Sequence, residues 1–190
     1  MGVQLRTRGF TLIELLVTTS ILVVITSVVL VNNARFGGAI LLQSLAYDVA
    51  LSVRQAQVYG ISVARFGANN FSAGYGMHFD TTSPTTYLFF ADAVSANGIY
   101  DMGELVPNGA TTIGHNYIIA ALCAPAGADA TSCTRVSKLD ILFKRPDPDA
   151  SIRADSGATL YDSGRVILQS PRGDLMSVVV QANGQISVQK

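Results

Sequence analysis

Arg8-Gly9-Phe10-Thr11-Leu12-Ile13-Glu14 decides the reading of this chain. It opens the 22 residues from Phe10 to Val31, in which Glu14 is the sole charged side chain; the next charge is Arg35. As a helix this stretch rises about 33 Å, enough to cross the hydrocarbon core of a bilayer. Arg6 and Arg8 lie just upstream, so the short N-terminal end is expected to stay cytoplasmic and the bulk of the chain to be exported. A secretory signal peptide would have a shorter apolar region ending at a small-residue cleavage site, whereas Asn32-Asn33-Ala34-Arg35 follows a longer run here. A plain signal anchor fits the length but leaves Glu14 unexplained. A carboxylate inside a membrane helix costs on the order of 2–3 kcal/mol at the centre and normally has a partner.

Taken together, these residues closely resemble the type III signal peptide of type IV pilins and type II secretion pseudopilins. The resemblance implies a prepilin peptidase that cuts between Gly9 and Phe10 and methylates the new amine of Phe10. It also implies that Glu14 pairs with the Phe10 amine of a neighbouring subunit as helices stack into a filament. Apolar surroundings strengthen that attraction and penalise an unpaired carboxylate, so the pair can set axial register. Some tip pseudopilins lack this glutamate, so its presence argues for a position below the tip. The implied partners are the peptidase, other pilin or pseudopilin subunits, assembly-platform proteins and the inner membrane.

Composition fits one modest exported head on a membrane tether. The chain has 190 residues, 49% of them hydrophobic, and 13 basic against 13 acidic groups. Removing Arg6 and Arg8 with the leader leaves 11 basic against 13 acidic groups, a balance of −2. That balance does not mark a polyanion partner.

A second helical stretch runs from Ala39 to Tyr59, with Leu42, Leu45, Val49, Val53 and Ala56 forming an apolar stripe at spacings of three and four. Gly60 is placed to cap its C-terminus, and the two helical pieces read as one rod. Gly37-Gly38 between them is a point of low helix propensity, either a local weak point or a simple hinge. Ser44-Leu45-Ala46-Tyr47-Asp48, Ser52-Val53-Arg54-Gln55-Ala56-Gln57 and Gly60-Ile61-Ser62-Val63 look like the GspH/FimT branch of pilin-like proteins. The expected organisation is a leader at 1–9, a transmembrane and assembly helix at 10–31, its continuation against the head at 32–60, and a β-rich head at 61–190.

Past Gly60 the pattern shifts to short strands and turns. Strands are expected at 61–66, 74–79, 86–91, 116–122, 138–144, 151–154, 165–169, 175–181 and 185–189. The last two flank Ala182-Asn183-Gly184, a hairpin signal. Gly74-Tyr75-Gly76 marks a bulge or a close backbone approach, and Lys144-Arg145-Pro146-Asp147-Pro148-Asp149 a rigid polar turn. The fold class is α+β: a long N-terminal helix, transmembrane then amphipathic, packed on antiparallel sheets.

Cys123 and Cys133 are the only cysteines. In an exported head they can form a disulfide, worth roughly 3 kcal/mol by loop entropy; free thiols are the alternative. Two thiols without a nearby histidine make a poor metal site. One loop resembles a calcium loop of the EF-hand type, with Asp92, Ser95, Asn97, the Ile99 carbonyl, Asp101 and Glu104 as candidate ligands around Gly98. Asp92 stands one residue away from the first ligand position, so an acidic surface turn is the competing reading.

Catalysis has little support. His78 and His115 are the only histidines, and motifs for a nucleophile elbow, a zinc helix or a phosphate loop are missing from the sequence. Some FimT-like minor pilins bind DNA through a basic C-terminal segment. The segment here, Asn183 to Lys190, carries one lysine, with Arg165 and Arg172 as possible additions, a thin patch for phosphate. The expectation is a non-enzymatic structural minor pilin or pseudopilin of a pilus or a type II secretion filament, held in the inner membrane with its head outside the cytoplasm. No cofactor beyond possible calcium is expected. A DNA-uptake pilin and a signal-anchored extracytoplasmic binding domain are the alternatives.

Overall fold

The structure, a computed structural model, describes residues 9–62, 64–67 and 71–190, without the side chains of residues 31–37. Arg6, Arg8 and the rest of the expected leader before Gly9 lie outside the described residues. The chain forms helix α1 (Leu12–Ile61) followed by ten strands. The backbone is helical at Gly37-Gly38, and the chain divides there into two compact units, 1–38 and 39–190.

In the first unit, Leu12–Leu30 is long and apolar enough to cross a membrane, and its side chains are exposed. Its hydroxyl side chains are satisfied within the helix. Thr18 and Thr19 donate to the carbonyls of Leu15 and Leu16 at 3.0 Å each. Ser20, Thr26 and Ser27 donate to Leu16, Leu22 and Val23 at 2.8, 2.6 and 2.8 Å. Such back-bonding lets hydroxyl residues sit in a medium that offers no water.

In the second unit, the strands are β1 (Gly74–Asp80), β2 (Thr86–Asp92), β3 (Leu105–Thr112), β4 (Ile118–Cys123), β5 (Arg135–Val136), β6 (Lys138–Phe143), β7 (Ala150–Ala154), β8 (Ser163–Gln169), β9 (Leu175–Gln181) and β10 (Ile186–Gln189). They form two five-stranded sheets, ordered β3-β2-β1-β6-β7 and β10-β9-β8-β4-β5, with antiparallel pairing throughout.

One core joins the second half of the helix to both sheets. Leu42, Ala46, Val49, Val53 and Ala56 are buried in it. Ala46 takes the place expected for Leu45, which is half-buried at the margin. Tyr75, Met77 and Phe79 of β1, Leu139, Ile141 and Phe143 of β6, and Val166 and Leu168 of β8 point to the same core. Strand alternation sends His78, Asp140, Arg165 and Ile167 to the opposite faces.

Three corrections concern how the helix meets the head. The expected strand 61–66 does not form, since Ile61 belongs to the helix and the Ser62 amide donates to the Val58 carbonyl at 3.0 Å; Val63 lies outside the described residues. Gly60 is helical rather than a C-cap. A Cβ there would lie 2.3 Å from the Phe143 carbonyl oxygen, so only glycine allows this approach of helix to β6. Gln57, overlooked in the sequence, is buried and donates from Nε2 to the carbonyls of Pro148 (2.9 Å) and Gly184 (3.1 Å). The proline turn therefore helps to anchor the helix.

The β9–β10 hairpin closes with the Gly184 amide on the Gln181 carbonyl at 2.9 Å, and Gly184 has φ 80°. At Gly76 a Cβ would fall 2.6 Å from the Ile141 carbonyl oxygen. Since the β1 register is continuous there, this glycine serves a close approach and not a bulge.

Candidate functional site

Gly9, Phe10 and Glu14, the expected processing and assembly residues, stand at the start of α1. Gly9 and Phe10 precede the first helical residue, and the Phe10 side chain is 76% exposed. Thr11 caps the helix: the Glu14 amide donates to Thr11 Oγ1 at 3.3 Å, and the Leu15 amide to the Thr11 carbonyl at 3.2 Å. Thr11 Oγ1 in turn donates to Glu14 Oε2 at 3.4 Å. Thr-x-x-Glu is the capping-box spacing, with the carboxylate in the first turn where the helix dipole favours it. The spacing is plain in the sequence, yet the expectations above did not use it. Glu14 is the one acidic group in a segment whose hydroxyls are already bonded, and within the chain its carboxylate has this single weak hydroxyl contact among the described residues.

In the loop expected to take calcium, the carboxylates gather hydrogen bonds from the loop itself. Glu104 is fully buried. Its Oε1 accepts the amides of Ala93, Val94 and Ser95 at 3.1, 2.9 and 3.3 Å, and its Oε2 accepts the Asp101 amide at 2.9 Å. Three N–H donors thus crowd Oε1 and one meets Oε2. Asp92 is also buried, and accepts the amides of Asn97 (3.0 Å) and Gly98 (3.2 Å). Burial raises its carboxyl above the ordinary range, against the pull of the Gly98 amide. Asn97 Nδ2 donates to Asp101 Oδ2 at 2.8 Å, and the Ile99 amide donates to Asn97 Oδ1 at 3.0 Å.

Asp92, Ser95, Asn97, Ile99, Asp101 and Glu104 are therefore gathered, but as a set of loop hydrogen bonds. Among the described residues, His, Cys, Asp and Glu side chains form no metal-holding group of three or more. The Glu104 and Asp92 oxygens face backbone N–H groups, and Asp101 Oδ2 faces the Asn97 side-chain amide.

His78 is a buried strand histidine with a partner. Its Nδ1 lies 2.7 Å from Asp140 Oδ1, across the β1–β6 pair, and the Tyr100 amide donates to the same oxygen at 3.1 Å. His115 lies in a turn with φ 59°.

On the second sheet, Cys123 and Cys133 are bridged, with Cα atoms 5.7 Å apart. The loop between them is also held by Arg165, which is buried. Its Nε donates to the Ala126 carbonyl (2.9 Å), Nη1 to Ser177 Oγ (2.8 Å), and Nη2 to the carbonyls of Gly127 and Ala128 (3.3 Å each). Burial lowers the Arg165 pKa, while the nearby Asp129 opposes this. This geometry removes Arg165 from the basic patch considered for DNA, since its donors are already directed at the protein. Arg172 is exposed, and Lys190 ends the chain.

No curated protein and no solved structure matches the chain. Residues 5–30 match the family described as the prokaryotic N-terminal methylation motif. The match covers the segment in which Gly9, Phe10 and Glu14 stand, and it continues into the apolar helix. The motif's family is structural, not enzymatic, and it implies processing by a prepilin peptidase and assembly with other pilins. Its N-terminal motif and its plan of an apolar helix followed by antiparallel sheets make the chain similar to type IV pilin-like proteins.

Proposed function

We propose that the chain is a minor pilin or pseudopilin subunit of the GspH/FimT type, in a pilus or a type II secretion filament. The observation that carries this reading is Glu14, the acidic group of an apolar helix whose carboxylate has only the Thr11 hydroxyl within its own chain among the described residues. Cleavage between Gly9 and Phe10 creates a free amine one turn from Glu14 of a neighbouring subunit. Pairing of the two relieves the cost of an isolated carboxylate in lipid and sets the axial step between subunits. The helix holds the subunit in the inner membrane until assembly. The head sits outside the cytoplasm, which agrees with the Cys123–Cys133 bridge.

Co-expression with a prepilin peptidase tests the reading. The mature chain is expected to begin at a methylated Phe10. Glu14→Gln is expected to be processed normally but to fall at least about tenfold in filament incorporation, since a charged pair is lost in apolar surroundings. A chain that keeps residues 1–9 beside an active peptidase would refute the proposal.

A further inference from the structure

A second site lies on the outer face of the β3-β2-β1-β6-β7 sheet, independent of the filament reading. There a cleft of about 450 Å³ opens between the sheet and the loop that follows β2. This is within the range of small-molecule sites, where a few placed polar groups stand on an apolar lining. Its apolar side is Leu88, Tyr100 and Met102; its polar side includes His78, Thr86 and Lys138.

The walls are preorganised. Asp140 fixes His78 through Nδ1, leaving Nε2 as the ring nitrogen without that partner. The Tyr100 ring stands over His78 with centroids 5.0 Å apart, and against Phe90 at 5.8 Å. Tyr100 and Met102 come from the loop that Asp92 and Glu104 hold through six backbone amides. Met102, 95% exposed, lies at the solvent edge of the cleft.

The charge balance narrows the ligand. Lys138 Nζ lies 3.8 Å from Asp80 Oδ2, and Asp80 Oδ1 accepts the amide and hydroxyl of Thr82 at 2.7 Å each. The positive charge is thus already balanced, and no arginine lines the cleft. A strong anion such as phosphate would lack the forked, doubly donating partner it favours. An apolar ligand would strand the hydroxyls and the imidazole. A ligand with alternating C–H faces and hydroxyl groups meets both sides of the lining.

We infer that this cleft binds a neutral saccharide of one or two rings, with a C–H face against Tyr100 and Met102 and hydroxyls toward Thr86, Lys138 and His78.

The test is saturation-transfer NMR on the full chain in dodecylphosphocholine micelles, which avoid a sugar headgroup. The probes are glucose, galactose, mannose, N-acetylglucosamine and lactose, each at millimolar concentration. Transfer to the ring protons of at least one sugar is expected, with Kd of about 1 mM. Thr86→Val and Lys138→Met are each expected to weaken it at least about fivefold without lowering Tm. Sodium phosphate and acetate are expected not to compete. The inference is overturned if no probe receives saturation or if binding survives both substitutions. Displacement by phosphate or acetate would also overturn it, in favour of an anion site.

Discussion

The outer faces of the two sheets are covered in different ways. On the first sheet the loop between β2 and β3 is held without a covalent link. Glu104 and Asp92 enter it as buried carboxylates and collect six backbone amides. On the second sheet the loop between β4 and β5 is closed by the Cys123–Cys133 bridge and held by the Arg165 guanidinium, which donates to three of its carbonyls. One loop is organised by acceptors that gather N–H groups, the other by a donor that gathers carbonyl groups. A small apolar cluster of Ala121, Cys123 and Ile167 lies beneath the second loop. In both cases a buried charge replaces the hydrophobic packing that a short surface loop cannot supply, because each irregular segment must still satisfy its backbone groups.

If this comparison is right, the largest effect comes from Glu104→Ala. It leaves four amides without their shared acceptor and should cost about 4 kcal/mol. The loss should appear as a lower Tm and as new protease cleavage within residues 93–103, and millimolar calcium should restore neither. Arg165→Met should follow at about 3 kcal/mol, with faster amide exchange confined to the neighbourhood of residues 124–134. Equal exchange in both loops of either variant would show that the two are one cooperative unit. Replacing both cysteines by serine should cost about 2–3 kcal/mol by loop entropy, and less local order should be lost than in Arg165→Met, because the arginine still grips the loop.

The smallest effect is electrostatic. Asp129 accepts the Thr131 hydroxyl and the amides of Thr131 and Ser132, and these bonds hold its carboxyl well below the usual carboxylate range. A depressed folded-state pKa adds stability above the unfolded value of about 4, and that contribution is lost as pH falls through the folded value. Asp129→Ala should therefore differ from the parent at pH 5, and the two Tm curves should converge toward pH 2. A gap that widens in acid would contradict this assignment.

The two loops also differ in how far the sequence reveals them. Two cysteines in a head expected to be exported announce a bridge by their chemistry alone. Asp92 and Glu104 carry the same information only once their backbone neighbours are in place. A carboxylate that gathers amides and one that binds calcium use the same residue types, and here the spacing differs by a single residue at Asp92. Arg165 misled for a related reason, since a basic residue in a strand reads as surface until the loop above it is folded.

Short apolar runs bounded by turn residues, such as Leu175–Gln181, were legible to the residue. β3 was not, because Pro107, Asn108 and Gly109 read as turn formers. It is an edge strand with a register shift against Leu88 and Phe90, and Asn108 has φ 59°, so its place is set by β2 rather than by its own pattern. β5 has two residues and no pattern to read. The stretch 61–66 has strand composition, but the first part of it completes the last turn of α1, where Gly60 meets Phe143.

The central claim is that this helix is made to be cut and then stacked. Filaments sheared from native cells, analysed by quantitative mass spectrometry for the N-terminal peptide, test it most directly. The account predicts peptides that begin at methylated Phe10, at low abundance relative to the major pilin. Finding the chain only in membranes, with residues 1–9 still attached, would contradict it and leave a signal-anchored extracytoplasmic domain.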